Sequence, residues 1–186
     1  MAIVKVYQYP HASLREPCHA VNALGGAVET VVRDLVDTMY AFGGAVGLSA
    51  PQIGSRLRVI AMDVAAKSTR DQLRVMINPV IEVSSRNKLV REGCLSFPEY
   101  LANVKRATRL TVRYLDADGA EVTHEARDLE AIAIQHEIDH LDGVLMIDRV
   151  NSLKTDLLRR YAGAPLPAAP SDVTAPVSLP PEFHPS

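Results

Sequence analysis

The sequence predicts one α+β domain, in which mixed, mainly antiparallel β-sheets pack around a central helix bearing a His-Glu-x-x-His pattern, with a flexible C-terminal tail. Three features predict it. Apolar residues recur at helical spacing in two separated segments, "GGAVETVVRDLVDTMYAF" and "DLEAIAIQHEIDHLDG". Between them lie alternating runs rich in Val, Ile and Thr, without the regular strand–helix alternation of a parallel sheet. Beyond Gly163 the composition changes abruptly, and seven of the twelve prolines fall between Pro165 and Pro185. Residues 1–162 are therefore expected to fold and residues 163–186 to stay extended or disordered.

Taken in order, the first helix places Val28, Val31, Val32, Leu35, Val36 and Met39 on one stripe, and Gly43 and Gly44 end it. Three β-type runs follow: "RLRVIAMDV", "LRVMINPVIEV" and "LTVRYLDADGAEVTHEA". The last contains "DADG", which predicts a hairpin around Asp116–Gly119. Asp128 is the expected N-cap of the second helix and Gly143 its stop. A further short helix is expected in "NSLKTDLLRRY", capped by Asn151 or Ser152.

The whole-chain properties narrow the function. An apolar fraction of 47% and a charged fraction of 23% over 186 residues describe an ordinary globular chain with a substantial core. A formal charge of -2 gives no reason to expect specific DNA or an anionic membrane as partner. No segment approaches the roughly 20 apolar residues of a membrane span, and the start "MAIVKVYQYP" lacks a secretory pattern. The expected location is the cytoplasm, where Cys18 and Cys94 stay as free thiols.

The chemistry concentrates in "QHEIDHLDG", Gln135 to Gly143. On a helix, His136 and His140 lie one turn apart on one face, so both imidazoles reach a single ion. Glu137, about 100° round the axis from His136, stands beside that ion, where a general base for a metal-activated water is needed. The alternative is a surface helix with two solvated histidines, but "AIAI" and Leu141 bury this helix, and buried histidines need partners. A third ligand downstream is missing: the only later histidine is His184, in the proline-rich tail, and Glu182 is no better placed. Upstream, "REGCLSFPE" offers Cys94. Alone it reads as a small core residue. Beside the helix it is the best available ligand, and a Cys–His–His set keeps one tetrahedral position open.

With these motifs together, the chain resembles the peptide deformylase family. The resemblance is carried by "GLSAPQIG" (Gly47–Gly54), "EGCLS" (Glu92–Ser96) and "QHEIDHLDG", in that order, with "YPHASLREPCHAV" similar to the family's N-terminal segment. It spans about Tyr9 to Val150. The resemblance implies removal of the formyl group from N-formylmethionyl nascent peptides, with one Fe²⁺ per chain replaceable by Zn²⁺, Ni²⁺ or Co²⁺. It implies Cys94, His136 and His140 as metal ligands, Glu137 as general base and acid, and Gln52 with the Leu95 N–H as donors to the oxyanion. It places Val46, Gly47, Glu92, Gly93, Leu129, Ile132 and Ala133 at the substrate; Gly47 allows close approach because it has no Cβ. It implies Asp139 as a support near the ligand helix, and an ion pair between Glu92 and Arg106 is expected to hold the cysteine loop, the alternative for each being a surface charge. Transient ribosome contact is a further expectation.

Three positions depart from the common pattern of the family: Ala45 for glycine, Ser49 for alanine, and Leu101 where many relatives carry an arginine near the bound peptide. The last bears on substrate affinity. Two other functions are weighed here: a non-enzymatic binder of peptide termini, which the presence of Glu137 and Gln52 disfavours, and a general metallopeptidase, which the upstream cysteine disfavours.

Overall fold

Residues 3–160 are described by a computed structural model. The tail expected over residues 163–186 lies outside the described residues. Six strands form one sheet: β1 (Gly47–Ser49), β2 (Val59–Met62), β3 (Arg74–Cys94), β4 (Phe97–Leu115), β5 (Glu121–Arg127) and β6 (Leu157–Arg159). They pair antiparallel in the order β1-β2-β3-β4-β5, with β6 also on β4. Among the described residues three α-helices accompany them: α1 (Gly26–Ala41), α2 (Asp128–Leu141) and the single turn α3 (Leu153–Asp156). No helix among the described residues is long and apolar enough to cross a membrane.

Strand β2 shows how the layers arise. All four of its residues are buried, and alternation sends them to opposite faces. Val59 and Ala61 pack with Leu35 and Met39 of α1. Ile60 and Met62 pack with Ile134 and Ile138 of α2. The two helices therefore cover opposite faces of the sheet, each through its apolar stripe. A third cluster, including Leu14, Phe97, Val104, Met146 and Leu157, closes the side where β6 lies. Each fully buried aliphatic side chain in these clusters contributes roughly 1.5–3 kcal/mol.

The elements differ from the expected ones in instructive places. The hairpin at Asp116–Gly119 is present: the Asp116 N–H donates to the Ala120 carbonyl, and Leu115 faces Glu121. The run expected over "LRVMINPVIEV" continues eleven residues further, to Cys94, and β4 begins at Phe97 rather than near Leu110. Most of that extra length of β3 is exposed, so its side chains carry little apolar alternation. The short helix in "NSLKTDLLRRY" stops after Asp156 because Leu157–Arg159 pairs with Tyr100–Ala102 instead. Asp128 is not the N-cap of α2. That position belongs to Arg127, and Asp128, the first helical residue, has φ 48°, a left-handed conformation that Asp tolerates better than most. Gly143 follows the helix end at φ 73°, where its N–H reaches the His140 carbonyl.

Candidate metal centre

Two chain reversals and one helix assemble the site. β3 ends at Cys94, where the register shifts after Gly93 and Cys94 pairs with Phe97 across the turn into β4. Helix α2 presents His136 and His140 from one face, their rings edge to face with centroids 5.0 Å apart. One ligand atom from each of Cys94, His136 and His140 lies within 4.8 Å of the other two, and Cys94 Sγ is 3.2 Å from His140 Nε2. No other group of three His, Cys, Asp or Glu side chains among the described residues has this closeness.

A chain of buried charges orients this set. His136 Nδ1 bonds Glu92 Oε2 at 2.8 Å, which leaves Nε2 for ligation. Arg106 grips Glu92 with two bonds of 2.6 and 3.0 Å and reaches Asp139 at 2.6 Å. Asp139 in turn takes two bonds from Arg149, at 2.6 and 3.0 Å. Burial alone raises the Glu92 pKa, but His136 and Arg106 outweigh it and hold that carboxyl at about 2. Burial likewise opposes a charged His136, and Cys94 with Glu92 overcomes it. At His140 burial wins and the ring is driven toward its neutral form, the form that ligates.

Glu137 sits beside the pair. Burial pushes its carboxyl above the usual range, and its Oε2 has no hydrogen-bond partner among the described residues. A buried carboxylate oxygen left open next to one sulfur and two imidazoles fits a site built to hold a cation and an activated water. The reason for glycine at position 47 is also visible here. A Cβ on Gly47 would stand 2.8 Å from Glu137 Oε1, so the space is taken by the carboxylate rather than kept for a peptide alone.

Gln52 is aimed by its own turn. The 3-10 turn Ala50–Ile53 opens with Ser49, whose N–H and hydroxyl both donate to Gln52 Oε1, at 3.0 and 2.9 Å. The amide nitrogen then points at the cysteine turn, 3.1 Å from Ser96 Oγ and 3.6 Å from Cys94 Sγ. Ser96 donates to the Tyr7 carbonyl at 2.8 Å, so the N-terminal segment braces the same corner.

These residues open into one cleft of about 440 Å³. Val46, Gly47, Gln52, Glu92, Gly93, Cys94, Leu95, Leu129, Ile132, Ala133, His136 and Glu137 line it. His140, Arg106 and Asp139 lie behind it, buried. Leu129 stands at an exposed edge, and Leu101 lies away from the lining, buried where β4 meets β6. Sequence reading missed Ser49, Ser96 and Arg149. Of these, the Ser49–Gln52 spacing of a capping box is the one signal that points to a contact.

The polypeptide deformylase family model matches residues 3–156. A peptide deformylase of Thermodesulfovibrio yellowstonii is 39% identical over 86% of this chain and 96% of its own length. One from Bartonella henselae is 43% identical over 81% and 86%. The crystal structure of a peptide deformylase from Legionella pneumophila superposes with a TM-score of 0.77 at 37% identity, covering 82% of this chain and 88% of that one. On this sequence match, this shared fold and this cleft, the chain belongs to the peptide deformylase family.

Proposed function

We propose that the chain removes the formyl group from N-formylmethionyl ends of nascent peptides by hydrolysis at the Cys94–His136–His140 centre. One observation carries the reading: three ligand atoms converge within 4.8 Å while Glu137, whose Oε2 has no hydrogen-bond partner among the described residues, lines the same cleft. A thiolate with two imidazoles suits Fe²⁺ or Zn²⁺, and Fe²⁺ is the proposed occupant. A divalent cation held there supplies Lewis acidity, bringing the pKa of a water near neutrality.

The chain's own residues do the rest. Water adds to the formyl carbon as Glu137 takes its proton. Charge grows on the formyl oxygen, and the donors are the Gln52 amide, pre-aimed by Ser49, and the Leu95 N–H in the turn after Cys94. The C–N bond then breaks as Glu137 returns the proton to the leaving nitrogen, giving formate and a free amine. The apolar residues Val46, Leu129, Ile132 and Ala133 receive the methionine side chain. Asp139 and Arg106 act through Glu92 and His136, fixing ring orientation.

The test is formate release from formyl-Met-Ala by protein loaded with Fe²⁺, Ni²⁺ or Co²⁺, with Glu137→Ala in parallel. Release by the wild type and its loss in the variant are expected. No release with any of the three metals bound overturns the proposal.

A further inference from the structure

One wall of the cleft is a single stretch of chain. Phe42, Gly43, Gly44, Ala45 and Val46 all line it, directly before Gly47. The first part of this stretch is a tight turn closed on itself: the N–H groups of Gly44 and Ala45 both donate to the Phe42 carbonyl, at 2.6 and 2.9 Å. Such bonds fix the shape of the turn but not its place in the cleft. Asp63, just after β2 and 0% exposed, meets the wall at both ends. Its N–H donates to the Val46 carbonyl at 2.9 Å, and its Oδ2 accepts from the hydroxyl of Tyr40, in the last turn of α1, at 2.6 Å.

The same aspartate shapes a second stretch. Its Oδ1 accepts from the Ala65 N–H at 2.7 Å and its carbonyl from the Ala66 N–H at 3.0 Å, which opens the turn that brings Lys67 to the cleft. That turn folds back onto α1: the Arg70 guanidinium lies over the Tyr40 ring, 5.0 Å from its centroid, and Arg70 Nε donates to the Ala66 carbonyl at 3.3 Å. Tyr40 and Asp63 neither line the cleft nor belong to the ligand set, and the chemical steps proposed above use neither. Gly47, against Glu137, is held separately, by its pairing with Met62 in the β1–β2 ladder.

We propose that Tyr40 and Asp63 are positioning residues, whose hydrogen bond latches the wall of residues 42–46 in the place where it receives the peptide and so sets substrate affinity without entering the chemical steps. This inference rests on the deformylase reading. Without the bond, Asp63 Oδ2 is a buried carboxylate oxygen that has lost its partner, and the wall is held in place at one end only. Substrate then binds the fraction of molecules whose wall is in place, and apparent affinity falls with that fraction. Once bound, it meets an unchanged ligand set, Glu137 and Gln52, so turnover holds.

The test is Tyr40→Phe, which keeps the ring beneath Arg70 and removes only the hydroxyl, assayed as metal-loaded full chain with formyl-Met-Ala. KM should rise about tenfold, the order of one hydrogen bond to a charged group, with kcat and metal per chain unchanged. A variant that is merely less stable has fewer active molecules, which lowers kcat and leaves KM alone. Asp63→Asn keeps an acceptor for the Ala65 N–H and should also raise KM. Added to Tyr40→Phe it should change KM little further, because both act through one bond. An unmoved KM in Tyr40→Phe, a fall in kcat alone, or fully additive effects of the two changes overturns the latch. Hydrogen exchange at the Asp63 amide, held by the Val46 carbonyl, gives a readout that needs no turnover. It should quicken in Tyr40→Phe while the amides of α2 exchange as in the wild type, and unchanged exchange at Asp63 overturns the latch. Quicker exchange with no formate from the wild type supports the hold on the wall and refutes the hydrolytic reading instead.

Discussion

Gly47→Ala is the substitution through which the geometry speaks most directly. The added Cβ would lie 2.8 Å from Glu137 Oε1, 3.0 Å from its Cγ and 3.2 Å from its Cδ. Ordinary contact begins at 3.4 Å, so the nearest pair must separate by about 0.6 Å. Gly47 cannot yield easily, because its backbone is paired with Met62 in the β1–β2 ladder. The carboxylate must move, inside a site where Glu137 is only 5% exposed. Since a misplacement of about 1 Å costs on the order of 100-fold, kcat for formate release should fall roughly 10- to 100-fold, with KM little changed. Overpacking costs about 1–3 kcal/mol, which lowers Tm by roughly 2–12 °C for a chain of this size. In a Glu137→Ala background the same change should cost far less stability, because the clashing atoms are gone. Wild-type kcat in Gly47→Ala, or an equal loss of Tm in both backgrounds, would refute the reasoning.

Other expectations follow from the same contacts. Gln52→Ala removes one oxyanion donor and should lower kcat about 100- to 1,000-fold without releasing metal; steady-state kinetics with metal analysis checks both. Arg106→Met strands the buried carboxylates of Glu92 and Asp139 and should cost about 3–5 kcal/mol in denaturant unfolding, with weaker metal retention; wild-type stability would show that the charge chain is idle. Cys18 is buried, and burial pushes its thiol from 9.0 up to about 11. Its folded value is the raised one, so its contribution to stability is complete below about pH 9 and is lost between about 9 and 11. The stability difference between wild type and Cys18→Val should therefore change with pH only in that window, and iodoacetamide at pH 8 should spare Cys18 until the chain unfolds.

The parts legible in the sequence are those whose signal is local. His136 and His140 announce themselves by spacing on one helix, α1 by its apolar stripe, and the β4–β5 hairpin by "DADG". What stayed hidden depends on partners far along the chain. The middle of β3, from Ser84 to Lys88, is exposed and carries no strand signal, though β4 between Arg106 and Leu110 pairs with it. β6 has helical spacing and becomes a strand only because Tyr100–Ala102 offers an edge. The Arg106–Glu92 pair could be named from the family pattern, whereas the extension to Arg149 joins Asp139 on α2 to the chain beyond it, a contact no short motif encodes. The resemblance gives Gly47 to the substrate, and the structure puts the Glu137 carboxylate, the proposed general base, against the space of its missing Cβ.

The measurement that bears most directly on the account is metal content per chain in wild type, Cys94→Ala and His140→Ala, taken by elemental analysis beside formate release. One ion per chain in the wild type, with both metal and activity lost in each variant, is the expected result. A fully loaded, active Cys94→Ala protein would mean that the sulfur, the turn that carries it and the helix opposite do not share an ion, and the proposed chemistry would have no centre.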